Sequence, residues 1–214
     1  MVFHSVGMET DFGPFAQEII DAKPDAVVTG NWGTDMILLG QELGAANLDI
    51  PIYTLYGAFA GTTSAIGEDG NGKIHLVHGG EYNPAPPGQA RLYRAYKEVY
   101  PESDLSSLRL IYTIEFLAKA IEKAGTDDPL EVALAMEGMQ YESASGRMVR
   151  MRKSDHQIIQ PLAISVQTDE DIEFDISNTG IGLKTVMIVE SDKLAQLPTS
   201  CNMQRPQQLM TGAR

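Results

Sequence analysis

Cysteine is almost absent: Cys201 is the only one in 214 residues, so neither an internal disulfide nor a cysteine-built metal site can form. The redox compartment is therefore left open. Positive charge is also scarce, with 16 Lys and Arg against 29 Asp and Glu. The resulting net charge of -13 repels phosphate backbones and anionic lipid, which disfavours nucleic acid and membrane surfaces as partners. No apolar run approaches the roughly 18 to 20 residues that span a bilayer, so direct membrane insertion is not expected. The stretch Met1 to Asp11 lacks the charged, apolar and small-residue regions of a signal peptide. Either a cytosolic chain or one whose true N-terminus lies upstream is expected. Repeats and low-complexity tracts are missing, as are the Gly-x-Ser-x-Gly elbow, the Walker loop and the Gly-x-Gly-x-x-Gly fingerprint. No catalytic residue is nominated, no cofactor is called for, and no enzyme is expected.

A hydrophobic content of 43% is enough for one sizeable core or two modest lobes. Apolar spacing predicts a helix over 12–22, with Pro14 suited to its first turn, then a buried strand over 25–30 (DAVVTG). The pattern repeats as a helix over 34–46 and a strand over 51–56 (PIYTLY), an α-β-α-β order that predicts a parallel sheet. A helical turn at 64–68 and a strand at 73–81 follow, before Pro84, Pro86 and Pro87 interrupt regular structure. Helices are expected over 88–99 and 104–124. In the second, Ile111, Ile114, Ala118 and Ile121 share a face that needs a partner surface, and Glu115 and Lys119 stand as an i,i+4 pair. Asp128-Pro129-Leu130-Glu131 fits a helix start, with Asp128 as cap and Glu131 reaching back to the cap amide, and a short helix runs on to Met139. From Gly146 the texture turns to strands, at 147–151, 161–167 and 184–190, with Gly180 to Gly182 as a break.

The block DFGPFAQEIIDAKPDAVVTGNWGTDMILLGQELGAANLDIPIYT resembles the second lobe of type I periplasmic binding proteins of the leucine/isoleucine/valine-binding family. ARLYRAYKEVY, FLAKAIEKAG, DPLEVALAMEG, SGRM, QPLAISVQ and the tail CNMQRP continue the likeness in that family's order. The resemblance implies an α/β, type I periplasmic-binding-protein fold with Rossmann-like parallel-sheet lobes, one nearly complete and the other partial. It places residues 1–81 in lobe two, 82–164 in the C-terminal part of lobe one, and 165–214 back in lobe two with the tail. The first half of lobe one and any signal peptide would then precede Met1, and the Ile111 face would normally pack on strands outside this chain. The implied role is that of an extracytoplasmic solute-binding component of an ABC importer. It holds a small-molecule ligand in the periplasm and delivers it to the transporter's membrane subunits. A sensory ligand-binding domain of the same architecture, or a non-functional fragment, are the alternatives.

In open α/β sheets ligands sit beyond the carboxyl ends of strands, which nominates Asn31, Trp32, Gly33 and Thr34 after the first strand, and Tyr56, Gly57 and Ala58 after the second. The first loop runs into a helix N-terminus that favours a carboxylate, Gly33 permits close backbone approach, and Trp32 can cover an apolar part. The competing reading makes Trp32 a packing residue and Thr34 an N-cap, with Asp35 merely favoured by the helix dipole. By the resemblance, Tyr56 falls where amino-acid-binding members carry an acid for the ligand's ammonium group. A phenol cannot compensate that charge, so small aromatic or aliphatic carboxylates fit at least as well as a branched-chain amino acid. His75 and His78, three apart on a strand, point to opposite faces and do not make a metal site. Arg147, Arg150, Arg152 and Lys153 are expected on a solvated hairpin, where the stretch MRKSDH departs from the family pattern.

Overall fold

The computed structural model describes residues 1–57, 61–105 and 108–204. The chain gathers into two compact units. Among the described residues, one takes those within 1–108, 144–146 and 162–188, the other 109–143, 147–161 and 189–204.

In the first unit, α1 (Gly13–Ala22), β1 (Val27–Thr29), α2 (Gly33–Ala45), β2 (Ile52–Thr54), α3 (Thr62–Ile66) and β3 (Ile74–His78) alternate as the periodicity requires. Pro14 sits in the first turn of α1, where a missing amide costs nothing, and Lys23 ends the helix at φ 47° with its N–H donated to Ile20 O. The three strands pair in parallel, Val27 beside Ile52 and Ile52 beside Ile74. Those residues join Phe12 and Ala16 of the first helical segment, Met36, Leu39 and Leu43 of α2, and Ile66 of α3 in one apolar core. Met36 and Leu43 are almost wholly buried, and each side chain stabilises the unit by roughly 2 kcal/mol.

The strands of the α-β alternation are parallel as expected, and an antiparallel strand extends the sheet beyond them. β7 (Leu162–Thr168) lies antiparallel to β3, and β8 (Gly182–Val189) flanks β7, giving the order β1-β2-β3-β7-β8. No helical crossover links β3 directly to β7; the chain makes a long excursion first, so nothing forces the parallel sense. β8 also begins at Gly182, inside the expected break. Between β3 and α4 (Pro87–Val99) lies Asn83, which is buried and ties the sheet to the segment before β8. Its Nδ2 donates to Phe174 O and Leu183 O, both at 3.0 Å, and its Oδ1 accepts the N–H of Glu173 and of Phe174, both at 2.9 Å.

The second unit packs α5 (Leu108–Ala124) and α6 (Pro129–Met136) with a three-stranded antiparallel sheet, β4 (Gln140–Glu142), β5 (Met148–Met151) and β6 (Ile158–Ile159), and a short α7 (Ser191–Ala195). β4, β6 and α7 escape periodicity because each has five residues or fewer. Asp104 and Leu105 are not helical, contrary to expectation; the Asp104 carboxylate pairs with Lys97 at 2.9 Å and accepts Ser177 N–H at 2.8 Å. Asp128 caps α6 by accepting Leu130 and Glu131 N–H at 3.0 and 3.1 Å. Its own amide goes to Thr126 Oγ1 at 3.2 Å rather than to Glu131.

Phe116 of α5 packs with Tyr141, Val149 and Met151, and Tyr112 and Ala120 lie on the same buried side. Ile114 and Ile121, from the apolar stripe, are exposed. Glu115 and Lys119 meet on Tyr141, whose hydroxyl donates to Glu115 Oε2 at 3.1 Å while Lys119 Nζ lies 5.5 Å above its ring. Burial first, and then the Glu115 carboxylate, push the Tyr141 hydroxyl above the usual phenol range.

Replacing Asn83 with Ala orphans buried backbone groups on two segments at once. Asn83→Ala is expected to lower unfolding stability by about 3 kcal/mol in urea titrations. A change under about 1 kcal/mol would show that water takes over those bonds.

Candidate functional site: two strand-to-helix corners

Thr29 at the end of β1 is in register with Thr54 at the end of β2. The loops carrying Asn31–Thr34 and Tyr56–Gly57 therefore leave adjacent strands at the same end of the sheet. Both corners are built alike. Thr29 Oγ1 accepts the Asn31 N–H at 3.1 Å, and Thr54 Oγ1 accepts the Tyr56 N–H at 3.0 Å. A side-chain acceptor two residues back offers the amide an alternative to the sheet ladder and turns the chain out of the strand. Neither threonine was singled out by sequence reasoning, though a Thr two positions before each nominated loop is the signal they share.

Trp32 occupies the N-cap of α2 in extended geometry and makes no side-chain cap bond. Thr34, weighed as the N-cap, lies inside the first turn. The first amides of a 13-residue helix are thus left without a cap acceptor, a setting that favours an anion. Gly33 has a φ of +55°, and a Cβ built on it meets nothing within 4 Å, so the backbone here faces open space. Trp32 is 59% exposed, unlike a core packing residue.

Behind the loop, polar groups are firmly partnered. Asp35 is buried, and its Oδ2 accepts the Gly7 N–H at 2.8 Å, which turns the carboxylate away from the loop mouth. His4 Nε2 lies 2.8 Å from Asn31 Oδ1. His4 and Gly7 were missed by sequence reasoning, and no local motif marks them. Tyr56 is partly buried and Gly57 is buried. A Cβ on Gly57 would stand 2.3 Å from Thr54 Cγ2 and 3.3 Å from Ile74 Cγ2, so this glycine serves close packing of the corner on the sheet. Ala58 lies outside the described residues.

His75 and His78 have separate surroundings. His75 packs against Tyr53 at 4.9 Å between ring centroids and donates from Nδ1 to Lys73 O at 2.8 Å. His78 Nε2 bonds Ser165 Oγ at 2.9 Å, and burial pulls its pKa down to about 4. Among the described residues no group of three or more His, Cys, Asp or Glu is placed to hold a metal ion. The basic cluster is matched by acids: Arg147 with Glu190, Arg150 with Asp192, Arg152 with Asp155 and Lys153 with Glu137. The Arg152 hydrogen bonds hold the Asp155 carboxyl far below the usual carboxylate range. Among the described residues no helix is long and apolar enough to cross a membrane.

Alternating strands and helices with two adjacent corners at the carboxyl ends of parallel strands define an open α/β sheet, whose strand ends are the usual place for a ligand. A family profile described as periplasmic binding protein matches residues 2–171, and the chain belongs to that family. Leu/Ile/Val-binding protein homolog 4 of Brucella melitensis is 27% identical over 213 residues, which cover 95% of this chain and 50% of that protein. The chain thus spans about half the length of the curated relatives it matches. In three dimensions it is similar to the closed leucine-, isoleucine-, valine-, threonine- and alanine-binding protein of Brucella ovis. The TM-score is 0.84 and the identity 23%, over 95% of this chain and 53% of that one. It is also similar to a solute-binding protein of an ABC transporter from Rhodopseudomonas palustris HaA2 in complex with p-hydroxybenzoic acid. Here the TM-score is 0.67 and the identity 18%, over 86% of this chain and 50% of that one. The type I periplasmic-binding-protein fold expected from the residues is the one found.

Gly33→Ala places a Cβ in a left-handed conformation without any clash. The expected loss is about 1 to 2 kcal/mol, read as a fall of a few degrees in a thermal melt. A much larger loss would mean that the space before Gly33 is filled.

Proposed function

We propose that this chain grips a small carboxylate-bearing solute as part of an extracytoplasmic solute-binding protein, which hands it to the membrane subunits of an ABC importer. The observation that carries this reading is the uncapped N-terminus of α2, opening beside an exposed Trp32 and next to the Tyr56 corner. The helix amides favour the carboxylate, Gly33 and Thr34 present backbone, Asn31 contributes a side-chain amide, and Trp32 and Tyr56 flank the apolar portion. Gly57 shapes the second corner. The first compact unit supplies the lobe-two contacts, and the family's other lobe supplies the opposing ones. Family membership supports a periplasmic or extracytoplasmic location and binding rather than catalysis. No cofactor or metal takes part in this reading.

The chemistry of the second corner narrows the ligand. Tyr56 offers a hydroxyl and an aromatic face but no negative charge for an ammonium group, and a buried unpaired ammonium costs several kcal/mol. A benzoate-like or short aliphatic acid avoids that cost. The Rhodopseudomonas palustris neighbour, which holds p-hydroxybenzoic acid, is consistent with such a ligand in this fold.

Thermal-shift measurements are expected to show larger stabilisation by benzoate or 4-hydroxybenzoate than by leucine at equal concentration. A shift with leucine alone contradicts the preference. Trp32→Ala is expected to weaken binding about tenfold while leaving the ligand-free melting temperature nearly unchanged, because its indole is not part of the core. Unchanged affinity in calorimetry removes Trp32 from the site.

A further inference from the structure

We infer that His4 is a positioning residue for the α2 corner: it fixes the Asn31 side chain so that the amide nitrogen, not the oxygen, is free to meet a carboxylate. The inference rests on the proposed ligand site and adds the group that sets its polarity. An amide oxygen can only accept a hydrogen bond, so His4 Nε2 donates to Asn31 Oδ1 at 2.8 Å, while Nδ1 lies 3.4 Å from Ser5 O. With its oxygen engaged, Asn31 keeps two N–H donors. Among the described residues these have no protein acceptor, while the Asn31 backbone N–H is already given to Thr29 Oγ1. Two donors beside unpaired helix amides suit an anion. The same amide rotated by 180° would turn an oxygen towards the ligand and repel it.

His4 is held well enough for this task. Its side chain is 11% exposed, and its ring sits 4.9 Å from Phe12, edge-on, and 5.5 Å from Phe15. Three residues further on, Gly7 donates its N–H to the buried carboxylate of Asp35 at 2.8 Å, and the His4 Nδ1 lies 4.0 Å from that same oxygen. The segment from His4 to Gly7 is thus pinned to the α2 corner at two points, Asn31 before the helix and Asp35 in its first turn, each bond bridging 27 or 28 residues of sequence. A ring packed against two phenylalanines that also touch each other has few rotamers left, so the direction of its Nε2–H is fixed before any ligand arrives.

Two substitutions separate this role from packing. His4→Phe keeps an aromatic ring in the Phe12 and Phe15 slot but removes the donor, and His4→Gln restores an N–H donor on a flexible stem. In the ligand-free 214-residue chain, the Asn31 side-chain amide resonances in 15N-labelled spectra are expected to move to the free-amide position in His4→Phe. They are expected to return most of the way in His4→Gln. Affinity for 4-hydroxybenzoate is expected to fall about five- to tenfold in His4→Phe, to recover in His4→Gln, and to fall no further when His4→Phe is added to Asn31→Ala. Unmoved Asn31 amide resonances in a folded His4→Phe protein overturn the inference, as does an equal loss of affinity with and without Asn31. If the unsubstituted chain binds no carboxylate at all, the proposed function fails, and the ligand-free amide signals still decide the role of His4.

Discussion

The in-register parallel pairing of β1 with β2 is the constraint on which the rest depends. Because Thr29 stands beside Thr54, both strands end at one level, and the same threonine-to-amide turn throws both loops off the sheet side by side. A slip of one residue would put one corner's side chains on the opposite face. The pairing is held by the core beneath it, where Val27, Ile52 and Ile74 meet the apolar faces of the first two helices. Core packing therefore fixes the geometry of a surface that contains almost no core residues.

The corners differ in chemistry although they share a design. The first presents a positive-φ glycine, an uncapped helix end and an exposed indole, all facing outward. The second closes down on the sheet, with Gly57 packed against Thr54, and carries the partly buried Tyr56. One corner suits a negative group and the other an uncharged, partly aromatic one. Under the proposed function, that asymmetry orients a bound carboxylate with its charged end towards α2. Asp35, the nearest carboxylate in the helix, is turned inward to Gly7 and His4.

Much of this was legible in the residues. Helix and strand periods located α1, β1, α2, β2 and β3 to within a few positions, because each buries one side on a common core, and the strand-to-helix rule nominated both loops. What escaped was set by long-range partners. The antiparallel β7 depends on a return of the chain that no local pattern encodes. The His4 to Asn31 bond spans 27 residues, and the pairing of the basic hairpin with Glu190, Asp192 and Glu137 joins distant segments. The Asp128 amide is given to the Thr126 hydroxyl, two residues away, in place of the expected Glu131 contact.

Backbone amide mapping tests the central claim most directly. A 15N-labelled chain titrated with 4-hydroxybenzoate is predicted to show its largest shifts at Trp32, Gly33 and Thr34, with a second group at Tyr56 and Gly57. Shifts confined to the α5 and β4 to β6 unit, with these five amides silent, would contradict the account.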